Sequence, residues 1–328
     1  VTALPDGAAP GVPWERLAPS LDVLAPMSPA LRVRGRDVGV HGGAVMAIVN
    51  RTTDSFFPSA RHADDDVALA AVERALRDGA EIIDVGGVRA GVGPEVTPAE
   101  EIDRVAPFVA RLRAELGDTV VLSVDTWRAE VAEAVADAGA DLLNDTWAGA
   151  DPGLVEVAGR RGLAVVVSHT GGLPPRTDPH DVRFDLPPDA PADADPLDAV
   201  VHDVVTTLAA GAARAVACGV DPLGVLVDPT HDFGKRTVDS LRLVRRTPAL
   251  VALGHPVLMA LSRKDFVGET LDLPVDERLE GTLAATALAA WGGARVFRAH
   301  DVRATRRTLD MVAAIRGDLA PRAAVRGL

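Results

Sequence analysis

Cysteine is nearly absent: Cys218 is the single one in 328 residues. It lies in an Ala-rich helical run, so a disulfide framework and a cysteine-based zinc site are both excluded, and a reducing cytoplasm is the expected compartment. A basic surplus is missing too. Lys and Arg number 34 against 47 Asp and Glu, a net charge of −13, which argues against nucleic acid as a partner because a phosphate backbone needs clustered cations. No run reaches membrane-spanning length without charge, and the first residues lack the basic start and apolar core of a signal peptide, so no membrane partner is expected. No Gly-x-Gly-x-x-Gly opens a helix after a strand, which weakens a dinucleotide-binding reading. His180, His231 and His255 stand in no metal-binding spacing and read as surface or loop residues.

What is present is ordinary globular chemistry, 48% hydrophobic and 25% charged, with length enough for a large core. The most legible stretch runs from Val120 to Gly149. Val120 to Val124 is an apolar run that breaks off at Asp125-Thr126, as a strand buried on both faces does where it leaves a sheet. Arg128 to Ala138 has helical spacing, with Val131 and Val135 inward, and Gly139 closes it. Leu142-Leu143 opens the next strand, which ends in Asn144-Asp145. Two neighbouring parallel strands thus deliver Asp125 and Asn144 to one edge, where an active site is expected.

The same cycle repeats along the chain. Val45 to Val49 ends in Asn50; Glu81 to Val85 runs into Gly86-Gly87, after which Thr97-Pro98-Ala99-Glu100 reads as a capping box. Ala164 to Val167 leads to Ser168-His169-Thr170, Gly224 to Val227 to Asp228, Pro256 to Leu261 to Ser262-Arg263-Lys264, and Arg295 to Phe297 to Arg298 and His300. Residues 1–30, rich in Pro and Ala without periodicity, read as a loosely ordered arm, and Leu31 to His41 as a short hairpin on the floor of the domain. The Pro- and Asp-rich stretch 171–195 reads as an exposed excursion. Eight strand-helix units at about 30-residue spacing predict an α/β fold, a single (β/α)₈ TIM barrel over 31–328 behind an N-terminal extension.

Asn50, Asp84, Asp125, Asn144, His169, Asp228, Lys264 and His300 each stand close to the C-terminal end of a strand, where a barrel gathers its catalytic groups. Asp125 and Asp228 with Asn144 suit bidentate hydrogen bonds to a flat heterocycle rich in donors. Arg298 and His300, with Asn50, suit a phosphate, directly or through a divalent metal. Plainer readings stand beside these: Asp125 and Asp228 as caps of the following helices, His169 as a satisfied core histidine, and Trp127 and Trp147 as rim packing in place of substrate stacking.

At these residues the sequence resembles the dihydropteroate synthase family. The resemblance runs from about Val45 onward through Asn50-Arg51-Thr52-Thr53-Asp54-Ser55-Phe56, Ser123-Val124-Asp125-Thr126, Asn144-Asp145, His169, Asp228-Pro229 with Phe233-Gly234-Lys235, Ser262-Arg263-Lys264, Gly281-Thr282, and Arg298 with His300-Asp301. It implies a magnesium-dependent folate-pathway transferase on a TIM barrel, joining a dihydropterin-methyl diphosphate to p-aminobenzoate. Barrels of this kind often pair through their outer helices, so a homodimer is expected; the Ala-rich run Thr282 to Ala290 offers a close-packing face for it, and suits packing against the barrel equally well. By the same resemblance Asp125, Asn144, Asp228 and Lys264 hold the pterin with Phe233 against its ring, Arg298 and His300 anchor the diphosphate, and Asn50 contacts Mg²⁺. Asp125, Lys264 and Arg298 carry the catalytic assignment.

The chain also departs from the family pattern. Where the family's second loop reads Gly-Gly-Glu-Ser-Thr-Arg-Pro-Gly, this chain has Gly86-Gly87-Val88-Arg89-Ala90-Gly91-Val92-Gly93, with Arg89 two positions early. The usual Asp-Pro-Gly-Ile-Gly-Phe is Asp228-Pro229-Thr230-His231-Asp232-Phe233, two glycines replaced by larger residues. The methionines flanking the family's histidine are Ser168 and Thr170. These departures motivate a second reading, a pterin-binding paralogue without synthase activity or with another acceptor. A corrinoid-methyltransferase pterin module is a third, which Arg298 and His300 disfavour.

Overall fold

The computed structural model describes residues 25–51, 58–89, 91–177 and 182–323. Most of the N-terminal arm (1–24), the segment Thr52 to Phe56 of the first loop, Ala90 and His180 lie outside the described residues.

Eight parallel strands follow one another around a closed ring: β3 (Ala44–Asn50), β4 (Ile82–Gly86), β5 (Val121–Asp125), β6 (Leu142–Asn144), β7 (Ala164–Ser168), β8 (Val225–Asp228), β9 (Leu258–Met259) and β10 (Val296–Ala299). β10 pairs with β3, and the seam between β8 and β9 is closed by a parallel bridge from Val227 to Val257, with the Val227 N–H donating to Pro256 O at 2.9 Å. This is the predicted (β/α)₈ barrel. The two-residue strand period sorts the side chains. Val45, Ala47, Val49, Ile83, Leu122, Leu143, Val165, Val227 and Phe297 face the outer helices, while Met46, Ile82, Val121, Leu142, Leu226, Leu258 and Val296 fill the barrel.

The floor of the interior is plugged by the expected hairpin, β1 (Leu31–Val33) and β2 (Arg36–Val38). Its two-residue turn, Arg34-Gly35, has both φ values positive, 46° and 75°, the backbone that matches the twist of paired strands. Leu31, Val33 and Val38 join the interior cluster, so the barrel is packed from below and open only above. The described end of the arm is packed as well: the N–H of buried Ser28 donates to Gly293 O at 2.8 Å.

Ten helices are described: α1 (Pro58–Arg77), α2 (Pro98–Leu116), α3 (Ala129–Asp137), α4 (Gly153–Arg161), α5 (Asp198–Ala217), α6 (Thr237–Arg245), α7 (Thr247–Val251), α8 (Asp265–Leu271), α9 (Leu279–Trp291) and α10 (Val302–Arg316). The capping box of α2 is present, with Thr97 N donating to Glu100 Oε2 at 2.7 Å and Glu100 N to Thr97 Oγ1 at 3.3 Å. Two short helices, α7 and α8, carry too few turns to show a period and were not readable from spacing. Among the described residues α5 is long and apolar enough to cross a membrane by length and composition, yet Val200, Val204, Leu208, Ala212 and Ala215 along one face are buried in the outer core.

Because Leu31 is wholly buried in the interior cluster of the barrel, Leu31→Ala is expected to lower unfolding free energy by about 2–5 kcal/mol, read as a lower urea midpoint with an unchanged m-value.

Candidate functional site

The strand period that fills the barrel also builds the site. Two residues above the interior layer, the same inward positions carry Asp84 over Ile82, Ser123 over Val121, Asn144 over Leu142, Asp228 over Leu226 and Arg298 over Val296. Asp84 is fully buried and stands at the hub. Its Oδ1 accepts from Ser123 Oγ at 2.6 Å, and its Oδ2 from Asn144 Nδ2 at 3.0 Å and Arg298 Nε at 2.7 Å. The other arm of the Arg298 guanidinium reaches Asp125 Oδ2 at 3.0 Å, and Thr146 Oγ1 donates to Asp125 Oδ1 at 2.5 Å. Burial pushes the Asp125 carboxyl up to about 6, with Arg298 pulling it down and Asp84 adding to the rise. Asp125 does not cap α3. That end is served by Asp151, whose Oδ2 accepts from Ala129 N at 2.7 Å, and by Thr126, whose Oγ1 accepts from Arg128 N at 3.3 Å.

The far wall is the loop after β8. Asp228 Oδ1 accepts from Thr230 N at 2.8 Å, so this carboxylate serves the turn while also lining the cavity. Burial raises the Asp228 carboxyl, with Lys264 opposing. Thr230, Asp232 and Gly234 all have φ between 51° and 69°. A β-branched residue in the left-handed region is strained, and here hydrogen bonds offset the strain. Thr230 Oγ1 accepts from His169 N at 3.2 Å and donates to Asp228 O at 3.0 Å, while Asp232 accepts from Asp265 N at 2.6 Å and Phe266 N at 3.3 Å, capping α8. Buried Lys235 holds the loop from behind by donating to the carbonyls of His169 (2.8 Å), Thr230 (3.1 Å) and Phe233 (2.9 Å). Lys264 donates to His231 O, and its ammonium sits 4.6 Å from the Phe233 ring centroid; burial lowers its pKa against the pull of Asp232 and Asp228. Trp147, buried, meets Phe233 edge-on at 5.2 Å, so it packs behind the ring.

These groups enclose a cavity of about 420 Å³ at the C-terminal mouth of the barrel. Every residue assigned in the sequence lines it: Asn50, Asp125, Asn144, Asp228, Phe233, Lys264, Arg298 and His300. His300 Nδ1 lies 3.0 Å from Ser262 Oγ, and burial with nearby Arg298 lowers its pKa. His169 does not line the cavity: it is buried with Nε2 2.7 Å from Asp203 Oδ1, as a core histidine. Asp84, Ser123, Thr146 and Arg89 had no assigned role. Asp84 could have been found from parity alone, as the single charged residue in the apolar run Ile82–Gly86. A second cavity of about 680 Å³ adjoins the first, sharing Arg89, Phe233, Lys264 and His300, and is further lined by Leu173 and Arg263.

Among the described residues no group of three His, Cys, Asp or Glu side chains could hold a metal ion. Asn50 offers one neutral amide oxygen at the cavity mouth. That donor set does not suit an ion held by the chain alone; it suits Mg²⁺ that keeps its waters and arrives on substrate phosphates.

The pterin binding enzyme family matches residues 46–300. The "Inactive dihydropteroate synthase 2" of Mycobacterium leprae is 53% identical over 294 residues, covering 90% of this chain and 98% of that one. The dihydropteroate synthase of Bacillus subtilis is 37% identical over 273 residues, 83% of this chain and 88% of that one. Among solved structures, the Xanthomonas albilineans dihydropteroate synthase with 4-aminobenzoic acid superposes with a TM-score of 0.73 at 35% identity, covering 88% of this chain and 99% of that one.

Asp84→Asn removes one carboxylate from a buried ion pair and leaves Arg298 only Asp125. We expect a loss of about 3 kcal/mol or more in unfolding free energy, measured by denaturant titration; a loss within error of zero would mean that Asp84 is not the hub of the site.

Proposed function

As the chain belongs to the pterin binding enzyme family, we propose that it binds a dihydropterin-methyl diphosphate and acts as a dihydropteroate synthase-type transferase, joining the pterin methylene to the amine of p-aminobenzoate. The observation that carries this reading is the convergence of Asp125, Asn144, Asp228, Lys264 and Phe233 on one cavity at the barrel mouth. Two carboxylates and an amide suit the donor-rich edge of a pterin, and Phe233, backed by Trp147 and faced by Lys264, suits its ring. Loss of the carbon–oxygen bond leaves positive charge on the methylene. Three carboxylates, Asp84, Asp125 and Asp228, against two cations, Arg298 and Lys264, favour that charge without solvent reorganisation. The p-aminobenzoate nitrogen then attacks the methylene, the diphosphate having left with the bonding pair. Asn50 would hold Mg²⁺ through its amide oxygen, and the ion would neutralise the departing diphosphate.

A second reading, a pterin binder without synthase activity, is favoured by Arg89, Thr230 and Asp232 in place of the family's loop residues and by the name of the M. leprae relative. On either reading the chain works in the cytoplasm, apart from membranes and nucleic acid. Calorimetric titration with the pterin diphosphate and Mg²⁺, followed by p-aminobenzoate and product detection, separates the two. Product formation supports the synthase, binding without product supports the second reading, and absence of binding sinks both.

The raised carboxyl of Asp125 gives the binding a pH signature. Only the ionised carboxylate accepts from pterin N–H groups without carrying its own proton, so affinity is expected to fall as pH drops through about 6. Asp145 is also pushed up to about 6 by burial, but it does not line the cavity. Asp125→Asn should therefore flatten the profile and weaken binding about tenfold or more; an unchanged profile in that variant would remove Asp125 from the site.

We further propose a homodimer through α6, α8 and α9. Leu288 is 64% exposed, Leu271 48% and Leu241 42%, and with Trp291 and Pro248 they line an apolar groove of about 760 Å³, a face suited to a second copy. Light scattering should give twice the 34.1 kDa chain mass, and Leu288→Glu should return it to the monomer. A wild-type mass of one chain would refute the dimer.

A further inference from the structure

Asp125 shares its guanidinium with a second carboxylate. Arg298 faces Asp84 at 2.7 Å and Asp125 at 3.0 Å, so one cation serves two buried anions, and the further donors of each matter. Asp84 also accepts from Ser123 and Asn144. Asp125 has one further donor, the hydroxyl of Thr146, whose Oγ1 lies 2.5 Å from Asp125 Oδ1. The charged groups that Asp125 meets from the surrounding elements are Arg298 on β10, Asp84 on β4 and Glu101 on α2, with Asp145 close by in the loop after β6. Three of these four repel its charge, which makes the Thr146 hydroxyl the neutral group that helps to hold it.

The loop after β6 is built to deliver that hydroxyl. β6 ends at Asn144, in register with Asp125, and strand parity carries on for two residues more. Asn144 lines the site, Asp145 points the other way toward a small cavity of about 110 Å³ between α4 and α5, and Thr146 lines the site again. Asp145 then folds the chain into a turn. Its Oδ1 accepts from Trp147 N at 2.9 Å and its Oδ2 from Gly149 N at 2.8 Å, while Ser168 Oγ at the end of β7 accepts from Ala148 N at 2.9 Å. Ala148 and Gly149 are both left-handed, with φ 55° and 74°. The turn therefore sets Thr146 on Asp125 and, one residue on, Trp147 against the Phe233 ring. A hydroxyl that served only the turn would bond the turn's own backbone. Among the described residues the Thr146 hydroxyl makes one hydrogen bond, and it crosses to β5.

We propose, resting on the pterin-binding reading, that Thr146 is a positioning residue of this site, holding the Asp125 carboxylate in one orientation and in its charged form for a substrate N–H. Arg298 alone would fix one oxygen and leave the carboxylate free to turn about its last torsion; Thr146 fixes the other. Its hydroxyl could also accept from a protonated carboxyl, but a hydrogen bond to the ionised form is charge-assisted and roughly twice as strong. The contact thus favours the charged form. With one protein donor on each oxygen, Asp125 keeps a lone pair on each for the heterocycle.

Carboxyl-carbon NMR of the full ligand-free chain tests it, the Asp125 signal being assigned by its loss in Asp125→Asn. Thr146→Val keeps the side-chain shape and removes the donor that favours the charged form. It should raise the Asp125 midpoint from about 6 by about one pH unit, while Thr146→Ser titrates close to wild type. Calorimetry with a phosphate-free pterin gives the second readout: the valine variant should lose about fivefold more affinity near pH 6 than near pH 8. Asp145, also pushed up to about 6, reports on the turn and should keep its own midpoint. An Asp125 midpoint that stays in place in Thr146→Val, or moves equally in Thr146→Ser, overturns the proposal. So does an Asp145 midpoint that moves with that of Asp125, since the hydroxyl would then be a support of the turn. If the Asp125 midpoint moves as expected but the pterin binds neither wild type nor variant, the contact stands and the pterin reading fails, which keeps the two failures apart.

Discussion

The site depends on one buried constraint: a guanidinium held between two carboxylates inside a barrel. Removing Asp84, Arg298 and Asp125 from water costs several kcal/mol per ion, and the chain meets that cost by giving each group partners. Asp84 has three donors, from Ser123, Asn144 and Arg298, and Asp125 has two, from Arg298 and Thr146. These donors come from three strands and one loop, and their acceptors from β4 and β5, so the ion set can exist only when the barrel is closed. The barrel in turn is sealed from below by Leu31, Val33 and Val38, which leaves the polar layer a single opening, upward. Floor, apolar layer and charged layer are thus one stack, ordered by the two-residue period of the strands.

That period explains why so much was legible in the sequence. Apolar runs that end in one polar residue located the barrel, its strand ends and the residues lining its mouth, because burial on both strand faces leaves only the last position free to be polar. Asp84 was harder to assign because it interrupts its run before the strand ends; strand parity places it inward, but its partners come from strands distant in sequence. What stayed illegible had no period to read. α7 and α8 are too short, the partners of Arg298 lie 173 and 214 residues away, and the tie from Arg176 to Gly91 and Pro94 joins two irregular loops. A composition rich in Pro and Asp suggested an exposed path for 171–195; its described residues are half-buried or exposed, and composition does not say what such a path touches.

The loop after β8 shows how a departure from the family pattern is absorbed. Thr230 and Asp232 stand at two left-handed positions where the resembling sequences carry glycine, and each costs about 1–2 kcal/mol in that backbone region. The side chains return something for it. Thr230 Oγ1 ties the loop to β7 through His169 N, and Asp232 caps α8, which starts one residue after Lys264. A glycine loop would leave both ties unmade. The replacement has therefore coupled this wall of the cavity to the helix that follows Lys264, and made the wall stiffer than a loop of glycines allows.

The two halves of the site are accordingly under different constraints. The strand-borne half, Asp84, Asp125, Asn144, Asp228 and Arg298, is tied into the stability of the barrel, because any one of its charges left alone would be a buried unpaired ion. The loop-borne half, in the described residues of the loops after β4, β7 and β8, is held by local side-chain and backbone hydrogen bonds outside the buried ion set. Substitution in the loops can change what the second cavity accepts, or end catalysis there, while leaving the barrel folded and its polar floor in place. A chain whose strand ends keep the family's residues while its loops replace them is what that asymmetry produces, and it accounts on physical grounds for relatives of one fold bearing both active and inactive names.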